Sequence, residues 1–551
     1  MPKCEADGLQ RDSIGPPFCR IQSYNNCHIY QNKWLDVRSL LTTKSRRAKF
    51  VRLPLPRSPD PLPASKGKRE WGHSFAEKER LVMKKEFILR RSSAVFVGLL
   101  AILVKKITAI IALALALALV PVAWGYSFTP IAFLDNPAPG GGNFTFDFEP
   151  SALNNSGEVP FTADVTTGGE AVFVGFGGQL TQIARSGQPA PGGGTFGPTE
   201  FGRLGVNDGG DIAIPFSLEP FDFNAPVTNG GLFRFSHSTQ TLSRVAGPGT
   251  PVPGGEHLAA VYFNTAMNNQ GDIVFSGIVT GGDIDPNSAP GFMGLGVGLF
   301  LADKNGTISN VIRPGDPAPG GHTFDMATNA SINNGGDIAF GGHVAGDECI
   351  NVGNPLFCAE SVYLKDAATG RIRSIAHQGD PAPGGGVFRL AFGPVLNSRD
   401  DIVFIGDLTP APATADAVGV FLYSRGTVIA VARPGDPMPG GGTFLRAGFQ
   451  LTGYDLNQRG DVSFAATLST DVNNDGLADS GLYVFSKGSI RLVARTGTVI
   501  PGLGTIAYLG TSLDIIPSFF GAGAIINERG QVLFFATLSD GRGVLLLATP
   551  Q

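Results

Sequence analysis

The feature that most limits the possible folds of this chain is a unit that recurs seven times after residue 126. Its clearest marker is N-x-x-G followed by an apolar run. The copies begin at Asn154, Asn207, Asn268, Asn333, Asn397, Asn457 and Asn527, and the copy at Asn397 carries Asp400 in place of the glycine. Successive copies start 53 to 70 residues apart. Repeats of this length indicate a propeller, a solenoid or another repeat array.

A turn rich in proline and glycine precedes each unit. It reads NPAPGGG, DPAPGGG or a close variant, and it starts at Asn136, Gln188, Thr250, Asp316, Asp380, Asp436 and, in a degenerate form, Val499. These turns contribute 17 of the 76 Gly and 13 of the 40 Pro in the sequence. Because 39 Phe are also available for a core, the composition argues against a disordered chain.

Each unit divides into four short apolar segments. In the copy at Asn333 they are His322–Ile332, Asp337–His343, Ser361–Lys365 and Arg371–His377. Alternating apolar and polar residues bounded by Gly, Asn and Pro are typical of β-strands, and the Gly of N-x-x-G suits a tight turn because it adopts positive φ without strain. Four antiparallel strands in each repeat predict a propeller blade.

The two ends of the repeated region predict how the ring closes. The last apolar segment, Gly543–Ala548, matches the third strand of a unit, and a fourth strand does not follow it. Thr129–Asp135 precedes the first Pro/Gly turn, where every later unit has its fourth strand. We therefore expect an all-β, seven-bladed propeller of four-stranded antiparallel blades, in which the N-terminal strand completes the last blade and removes its exposed edge.

Charge is distributed unevenly along the chain. Residues 1–106 contain 22 Lys and Arg against 9 Asp and Glu, whereas the remainder contains 20 against 37. An acidic body without a basic stripe argues against nucleic acid as a partner, because phosphate binding requires clustered Lys and Arg.

The first part of the chain has the features of an export signal. Residues 94–125 contain two apolar runs separated by Lys105 and Lys106, and small residues, Ala123 and Gly125, at the −3 and −1 positions of a cleavage site. A retained membrane anchor is the alternative. Residues 1–93 are basic, and we expect a disordered segment or an extension upstream of the true start. The three expected regions are thus 1–93, 94–125 and the propeller at 126–551, which we expect to be monomeric and periplasmic or extracellular.

Two cysteines lie in the repeated region, Cys349 and Cys358. In an oxidising compartment, two cysteines nine residues apart most simply form a disulfide across one loop. A metal site is the less favoured alternative, because the spacing is not C-x-x-C and no nearby histidine completes a set.

The tandem PGDPAPGGGTF and N-x-x-G-D-I-x-F motifs resemble those of uncharacterised exported bacterial proteins with N-x-x-G…F repeats. The resemblance covers residues 126–551. It implies a propeller-like fold, and it implies no activity, because none is established for those proteins. Some of those proteins carry surface-anchoring tails, whereas this sequence ends at Gln551 without such a segment, which favours a free exported form.

One loop has the spacing of a calcium site. The candidate ligands are Asp471, Asn473, Asp475, the carbonyl oxygen of Leu477, and Asp479. Oxygen ligands at positions 1, 3, 5, 7 and 9 with Gly476 at position 6 suit calcium, although the Glu that closes an EF-hand is replaced by Leu482. The loop resembles the short calcium loops of FG-GAP propeller repeats; an Asn- and Asp-rich solvated hairpin is the alternative.

Repetition itself argues against a catalytic role for the most prominent charged residues. The Asp of R-P-G-D-P and the Asp after N-x-x-G recur in several units, whereas an active site occurs once. We therefore predict structural roles for them, and we assign no catalytic residue. His322 and His377 interrupt the repeat and are better candidates for function, although a single histidine is more often merely accommodated.

The predicted function is that of an exported, non-enzymatic binding scaffold. In a ring of four-stranded blades, the loops between second and third strands share one face with the Pro/Gly turns, and long loops on a rigid scaffold commonly bind. These rim loops are Pro220–Gly230, Thr280–Val297, Ala345–Glu360, Thr409–Val418 and Ser469–Ser480. The expected ligand is a protein, a glycan or a surface polymer. The alternative is a secreted hydrolase or lyase with its active site at a mouth of the central channel.

Overall fold

The computed structural model of this protein describes residues 125–551 except 176–177, 200–202, 221–228, 281–295, 348–360, 410–417, 449–451 and 511–522. The predictions for residues 1–93, for the export segment up to residue 124 and for the Cys349–Cys358 disulfide lie outside these residues. In the described part of the chain, all regular structure is β-strand. That part contains no helix with the length and apolarity needed to cross a membrane.

The strands form seven antiparallel sheets, one for each blade. Blade 1 contains β2 (Phe144–Pro150), β3 (Val159–Val165), β4 (Gly169–Gly175) and β5 (Thr181–Arg185). Blade 2 contains β6 (Phe196–Thr199), β7 (Gly205–Val206), β8 (Ile212–Leu218), β9 (Gly230–Ser236) and β10 (Thr241–Ala246). Blade 3 contains β11 (His257–Met267), β12 (Ile273–Thr280), β13 (Gly296–Ala302) and β14 (Ile308–Ile312). Blade 4 contains β15 (Phe324–Ile332), β16 (Ile338–Val344), β17 (Ser361–Lys365) and β18 (Ile372–Ala376).

The remaining blades repeat this order. Blade 5 contains β19 (Val387–Leu396), β20 (Ile402–Thr409), β21 (Val418–Ser424) and β22 (Thr427–Ala432). Blade 6 contains β23 (Phe444–Ala447), β24 (Tyr454–Leu456), β25 (Val462–Leu468), β26 (Ser480–Ser486) and β27 (Ser489–Arg495). Blade 7 contains β28 (Val499–Ile500), β29 (Gly504–Leu509), β30 (Ile525–Ile526), β31 (Val532–Leu538), β32 (Gly543–Pro550) and β1 (Tyr126–Phe133).

These sheets confirm the predicted seven-bladed propeller. In blade 4 the four predicted strands agree with β15–β18 to within two residues at each end. In blades 2, 6 and 7 the inner strand is described as two pieces that pair with the same neighbour, so these blades count more than four strands. The N-x-x-G turn joins the inner strand to the second strand, and its glycine has positive φ, for example +87° at Gly336, as the motif predicts.

The ring closes through the first and last described strands. β1 pairs antiparallel with β32 over Tyr126–Phe133 and Val544–Pro550. The ring of Phe128 packs edge-on against Phe534 of β31, with 6.1 Å between ring centroids. The N-terminal strand thus completes the last blade, as predicted, and covers what would otherwise be an open sheet edge.

Aromatic side chains fill the blades in a repeated trio, one from each of the first three strands. In blade 4 the trio is Phe324, Phe340 and Tyr363, whose ring centroids lie 5.1 to 5.6 Å apart. Blade 5 repeats it with Phe388, Phe404 and Phe421. Burial of these rings against the neighbouring sheets supplies much of the apolar stabilisation of each blade, and this use explains the high phenylalanine content.

Candidate functional site

The N-x-x-G asparagines join the blades to one another as well as capping their own turns. Asn397 is fully buried. Its Oδ1 accepts hydrogen bonds from the backbone N–H groups of Arg399 and Asp401, at 2.9 and 3.1 Å. Its Nδ2 donates to Asp401 Oδ2 at 3.0 Å and to the backbone oxygen of Asn457 in the next blade at 3.1 Å. One carboxamide therefore satisfies its own turn and ties it to the neighbouring one.

The same bond between blades recurs around the ring, and we call the set the asparagine belt. The donor and acceptor pairs are Asn154 to Asn207 (3.4 Å), Asn268 to Asn333 (3.5 Å), Asn333 to Asn397 (3.3 Å), Asn397 to Asn457 (3.1 Å), Asn457 to Asn527 (3.2 Å) and Asn527 to Asn154 (3.0 Å). The last pair crosses from blade 7 to blade 1, so the belt spans the point where the ring closes.

A second set of contacts, which we call the outer belt, comes from the residue after each motif asparagine. Its backbone N–H donates to the side-chain oxygen of the equivalent residue one blade further on. The pairs are Asn155 to Asp208 (3.2 Å), Asp208 to Asn269 (2.9 Å), Asn269 to Asn334 (2.8 Å), Ser398 to Gln458 (2.6 Å), Gln458 to Glu528 (2.6 Å) and Glu528 to Asn155 (2.9 Å). Side chains on this face are therefore held in fixed positions around the channel.

The inner strands and both belts enclose a cavity of about 410 Å³ in the central channel. Its lining runs from the middle of the inner strands to the outer belt, so it belongs to the half of the channel next to the N-x-x-G turns. The Pro/Gly turns, and the strand ends to which the rim loops connect, lie at the opposite ends of the strands. The predicted binding surface is the rim face, whereas this cavity lies toward the opposite face.

An ion pair crosses the channel within this cavity. Arg203 of blade 2 donates from Nη1 to Asp455 Oδ1 of blade 6 at 3.0 Å, and from Nη2 to the backbone oxygen of Tyr454. The other oxygen of Asp455 accepts the backbone N–H of Ile526 at 2.9 Å. Both charged side chains are largely buried, at 19% and 10% exposure, so each charge requires the other.

Arg203 and Asp455 are departures from the repeat that the sequence analysis did not single out. The positions four before the motif asparagine hold Pro150, Arg203, Asn264, Asn329, Gly393, Gly453 and Gly523. The positions two before it hold Ala152, Gly205, Ala266, Ser331, Val395, Asp455 and Ile525. Each charge occurs once in its column. Both residues are recognisable in the sequence when the seven copies are compared column by column for unique charges.

The carboxylates that follow N-x-x-G take part in the turns, as their repetition predicts. Asp337 accepts from Asn333 Nδ2 at 3.1 Å and from the backbone N–H of Ala367 at 2.8 Å. Burial raises the pKa of Asp401, but hydrogen bonds from Ser424, Asn397 and Arg399 outweigh burial and leave that pKa below its usual value.

Two other carboxylates on this face are shifted the opposite way. The pKa of Glu528 in the outer belt is raised, chiefly by burial and further by the charges of Asp208 and Asp461. The pKa of Asp400 is raised by burial and by the charge of Asp337. Burial is the largest cause of both pKa shifts, and neighbouring carboxylates add to it.

On the rim face, the recurrent arginines hold the Pro/Gly turns. Arg433 donates from Nη1 to the oxygen of Pro383 at 2.8 Å and from Nη2 to that of Gly385 at 2.7 Å. Asp436 accepts the backbone N–H of Arg433 at 2.8 Å. These are the turn contacts that the repeated R-P-G-D-P motif predicts.

Four of the five rim loops lie mainly outside the described residues, and Ser469–Ser480 is described throughout. In this loop Asp471 accepts the backbone N–H groups of Asp475 and Gly476, at 3.1 and 3.0 Å. Asn473 Nδ2 donates to Asp475 Oδ2 at 2.8 Å. Asp471, Asn473 and Asp475 are exposed, and Leu477 is half-buried.

Asp479, the fifth candidate calcium ligand, lies at the base of this loop. Its Oδ2 accepts from Arg495 Nη2 at 2.9 Å, and the two side chains are 0% and 1% exposed. Its carboxylate also accepts the backbone N–H of Val472 at 3.1 Å. The described residues contain no cluster of three or more His, Cys, Asp or Glu arranged to hold a metal. The oxygen donors at the tip suit calcium in type, whereas Asp479 is already committed to Arg495, so the full ligand set does not converge.

The two singular histidines lie on the rim side. His377 takes the place of a turn-holding arginine, and its Nε2 lies 3.3 Å from Asp347 Oδ2. His322 Nδ1 lies 3.1 Å from the backbone oxygen of Ala345. Neither lines the channel cavity described above.

Several solved structures are similar to this chain at low identity. A puromycin-hydrolysing peptidase of Mycobacterium tuberculosis is 14% identical over 74% of this chain and 52% of its own, with a TM-score of 0.41. TolB of Acinetobacter baumannii is 12% identical over 68% and 65%, with a TM-score of 0.29. A gluconolactonase of Xanthomonas campestris is 11% identical over 77% and 98%, with a TM-score of 0.29. The chain thus spans about two thirds of TolB and half of the peptidase.

Comparison with curated proteins gives no significant match. A family described as being of unknown function, DUF7453, matches residues 125–548.

Proposed function

The chain belongs to the DUF7453 family of unknown function, and from that starting point we propose that it is an exported, non-enzymatic binding scaffold. Its rim loops hold a protein, a glycan or a surface polymer. The observation that carries the proposal is that repeated and non-repeated residues of the ring have different roles. Repeated residues hold the scaffold together, and the non-repeated connections between second and third strands all start from one face.

The scaffold is suited to binding because its repeated polar groups form the hydrogen bonds that hold the blades and turns in place. The asparagine and outer belts tie blade to blade on the N-x-x-G face, and arginines such as Arg433 fix the turns on the rim face. A rigid platform lowers the entropy lost when its loops engage a ligand. Sequence can therefore vary in the rim loops without loosening the ring.

The loop Ser469–Ser480 supports this division. The buried pair Arg495–Asp479 anchors its base, with Arg495 also bonded to Thr470 Oγ1 at 2.8 Å. Its tip is exposed, including Val472 at 49%. A fixed base and a projecting polar tip with an exposed apolar side chain form a contact surface for a partner.

We also propose that calcium orders the tip of this loop through Asp471, Asn473, Asp475 and the carbonyl of Leu477, with Asp479 holding the base. Oxygen donors of these kinds are the ones that calcium prefers. Export to the periplasm or the exterior, where calcium is more abundant than in the cytosol, is part of the same proposal. The hydrolase or lyase alternative needs unique acid and base groups that converge in the channel, and the unique pair in the described lining is Arg203 with Asp455.

The test is a binding screen of the full chain on a glycan array and on purified peptidoglycan. Variants that shorten each of the five rim loops in turn, for example 471–478 replaced by Asn-Gly, are compared with a control on the opposite face, Lys304→Ala with Asn305→Ala. We expect saturable binding that falls at least tenfold in one or more rim variants, persists in the control, and leaves the ligand chemically unchanged by mass spectrometry. Binding that is absent, that is indifferent to every rim loop, or that is accompanied by cleavage of the ligand would reject the proposal.

A further inference from the structure

We propose that the channel cavity beside the N-x-x-G turns is a second binding site, which takes a small neutral polyhydroxylated ligand of monosaccharide or disaccharide size. It is separate from the rim, because it opens toward the opposite ends of the strands. A volume of about 410 Å³ is within the range of roughly 300–1,000 Å³ typical of small-molecule sites.

The floor of the cavity is built from residues that the repeat does not require. The Arg203–Asp455 pair spans the channel from blade 2 to blade 6, and a buried ion pair is a poor device for stability alone. Ser331, also unique in its column, lies in the same lining. Its Oγ accepts the backbone N–H of Leu396 at 3.1 Å, so its hydroxyl hydrogen is left to donate.

The outer belt supplies hydrogen-bonding groups at the mouth. In Asn155, Asn334 and Gln458 the side-chain oxygen is occupied by an N–H of the preceding blade. Their amide nitrogens have no partner among the described residues. The oxygens are fixed by the belt, so the free donors are held near the cavity without a ligand, and such preorganisation favours binding.

Acceptors lie among these donors. Glu528 uses Oε1 to accept the backbone N–H of Gln458 at 2.6 Å, and its second oxygen has no partner among the described residues. A hydroxyl group both donates and accepts, so a ring of amides interrupted by the carboxylates of Asp208 and Glu528 matches a polyol. Apolar wall residues such as Val206 and Val395 give the C–H face of a sugar a surface to contact.

Charge argues against an anionic ligand. Asp208 and Glu528 lie at the mouth, and the proximity of Asp208 helps raise the pKa of Glu528. Among the described residues that line the cavity, the one guanidinium is that of Arg203, and Asp455 neutralises it. A phosphate or carboxylate would therefore meet repulsion at the entrance without a free positive charge below it.

The first experiment measures binding to the full chain by calorimetry and saturation-transfer NMR. The probes are glucose, N-acetylglucosamine, cellobiose and lactose, with citrate and spermidine as charged probes of similar size. We expect saturable binding of at least one saccharide, at least tenfold stronger than that of citrate or spermidine. Failure of all four saccharides, or stronger binding of either charged probe, overturns the proposal.

Matched variants then locate the site. Asn334→Asp with Gln458→Glu keeps the belt oxygens and removes the amide donors, and Ala266→Phe fills the cavity from a half-buried lining position. We expect each to weaken saccharide binding at least tenfold, whereas Ser398→Ala, an outer-belt residue outside the lining, leaves it unchanged. Persistence of binding in the folded, cavity-filled variant would overturn the proposal. The rim-loop variants should retain this binding, so failure of the rim proposal and failure of this one are distinguishable.

Discussion

In six of the seven repeats a single asparagine performs two tasks of different range. Within the turn, its Oδ1 accepts backbone N–H groups two and four residues later, as Asn397 does from Arg399 and Asp401. Across the blade junction, its Nδ2 bonds to a backbone oxygen 60 residues away. The first task follows from short-range turn chemistry, and it was predictable from N-x-x-G. The second depends on the radius and tilt of the assembled ring, which no local pattern encodes.

Replacement of one belt asparagine should therefore cost more than an ordinary turn substitution. Asn397→Ala removes the acceptor for two backbone N–H groups, those of Arg399 and Asp401, and also removes the bond between blades to the backbone oxygen of Asn457, which keeps only the N–H of Gly460. Buried groups left unpaired cost about 1–3 kcal/mol each, so we expect the free energy of unfolding to fall by at least about 2 kcal/mol. Urea denaturation of the full chain measures it.

Ser398→Ala provides the matched control for this prediction. Ser398 lies next to Asn397 in the same turn, it is exposed, and its belt contact is made by its backbone N–H. We expect a change within about 0.5 kcal/mol, as for most surface substitutions. Equal stability of the two variants would show that the belt contributes nothing to stability.

The ion pair between Arg203 and Asp455 is a contact that the sequence could not predict. Arg203 and Asp455 are 252 positions apart, and their meeting follows from the placement of blades 2 and 6 across a seven-membered ring. Comparison of the repeats column by column could have marked each as unique. Only the assembled ring shows that the two unique charges satisfy one another.

At the scale of elements, the loop Ser469–Ser480 has a tip that carries candidate calcium ligands and a base held by the Asp479–Arg495 ion pair. The sequence spacing assigned all of these carboxylates to calcium. The sequence predicted five ligands in one row, and the spacing alone could not show that Asp479 points into the blade. The reason is Arg495 at the end of β27, whose place in each repeat is to hold the turn before its own blade. In blade 6 it bonds to Gly441 at 2.9 Å and also to Asp479.

This geometry predicts different outcomes for the tip and the base of the loop. Asp471→Ala with Asp475→Ala should abolish calcium binding measured by calorimetry and leave the apo protein's melting temperature nearly unchanged, because these side chains are exposed. Asp479→Asn breaks a buried ion pair and should cost about 3–5 kcal/mol whether or not calcium is present.

The two variants serve as controls for each other in thermal unfolding with and without calcium. If the wild-type protein shows no calcium-dependent change in heat or melting temperature, the calcium proposal is wrong. A stable Asp479→Asn variant would contradict the structural role of the pair while leaving the calcium question to the tip variant.

At the scale of the whole molecule, the pairing between the first and last strands of the repeated region could be predicted from the sequence, because the repeat is cyclic. The last unit lacks a fourth strand and the first begins with a spare one, so closure needed only a count of strands. The pairing of β1 with β32 confirms it.

Closure by β1 yields the last prediction. In the full chain, replacement of Tyr126–Phe133 by eight Gly and Ser residues should leave β32 as an unpaired edge and remove Ile131 from a core shared by blades 7 and 1. We expect a lower melting temperature, faster hydrogen exchange in β32 than elsewhere, and self-association, because an exposed strand edge is a template for pairing.

A synthetic peptide of Tyr126–Phe133 added to this variant should restore protection in β32, since an extended peptide can complete a sheet edge through main-chain hydrogen bonds. A peptide of the same composition in scrambled order should not, because alternate residues would no longer meet the core with apolar side chains. If both peptides protect β32 equally, completion of the edge does not depend on the sequence of β1. If the variant matches the wild-type protein in melting temperature, then the ring is held by the belts on the N-x-x-G face and β1 is dispensable. Because the asparagine belt also bridges blades 7 and 1 through Asn527 and Asn154, the variant combined with Asn527→Ala tests that outcome directly: it should open the ring only if the belt is the principal closure.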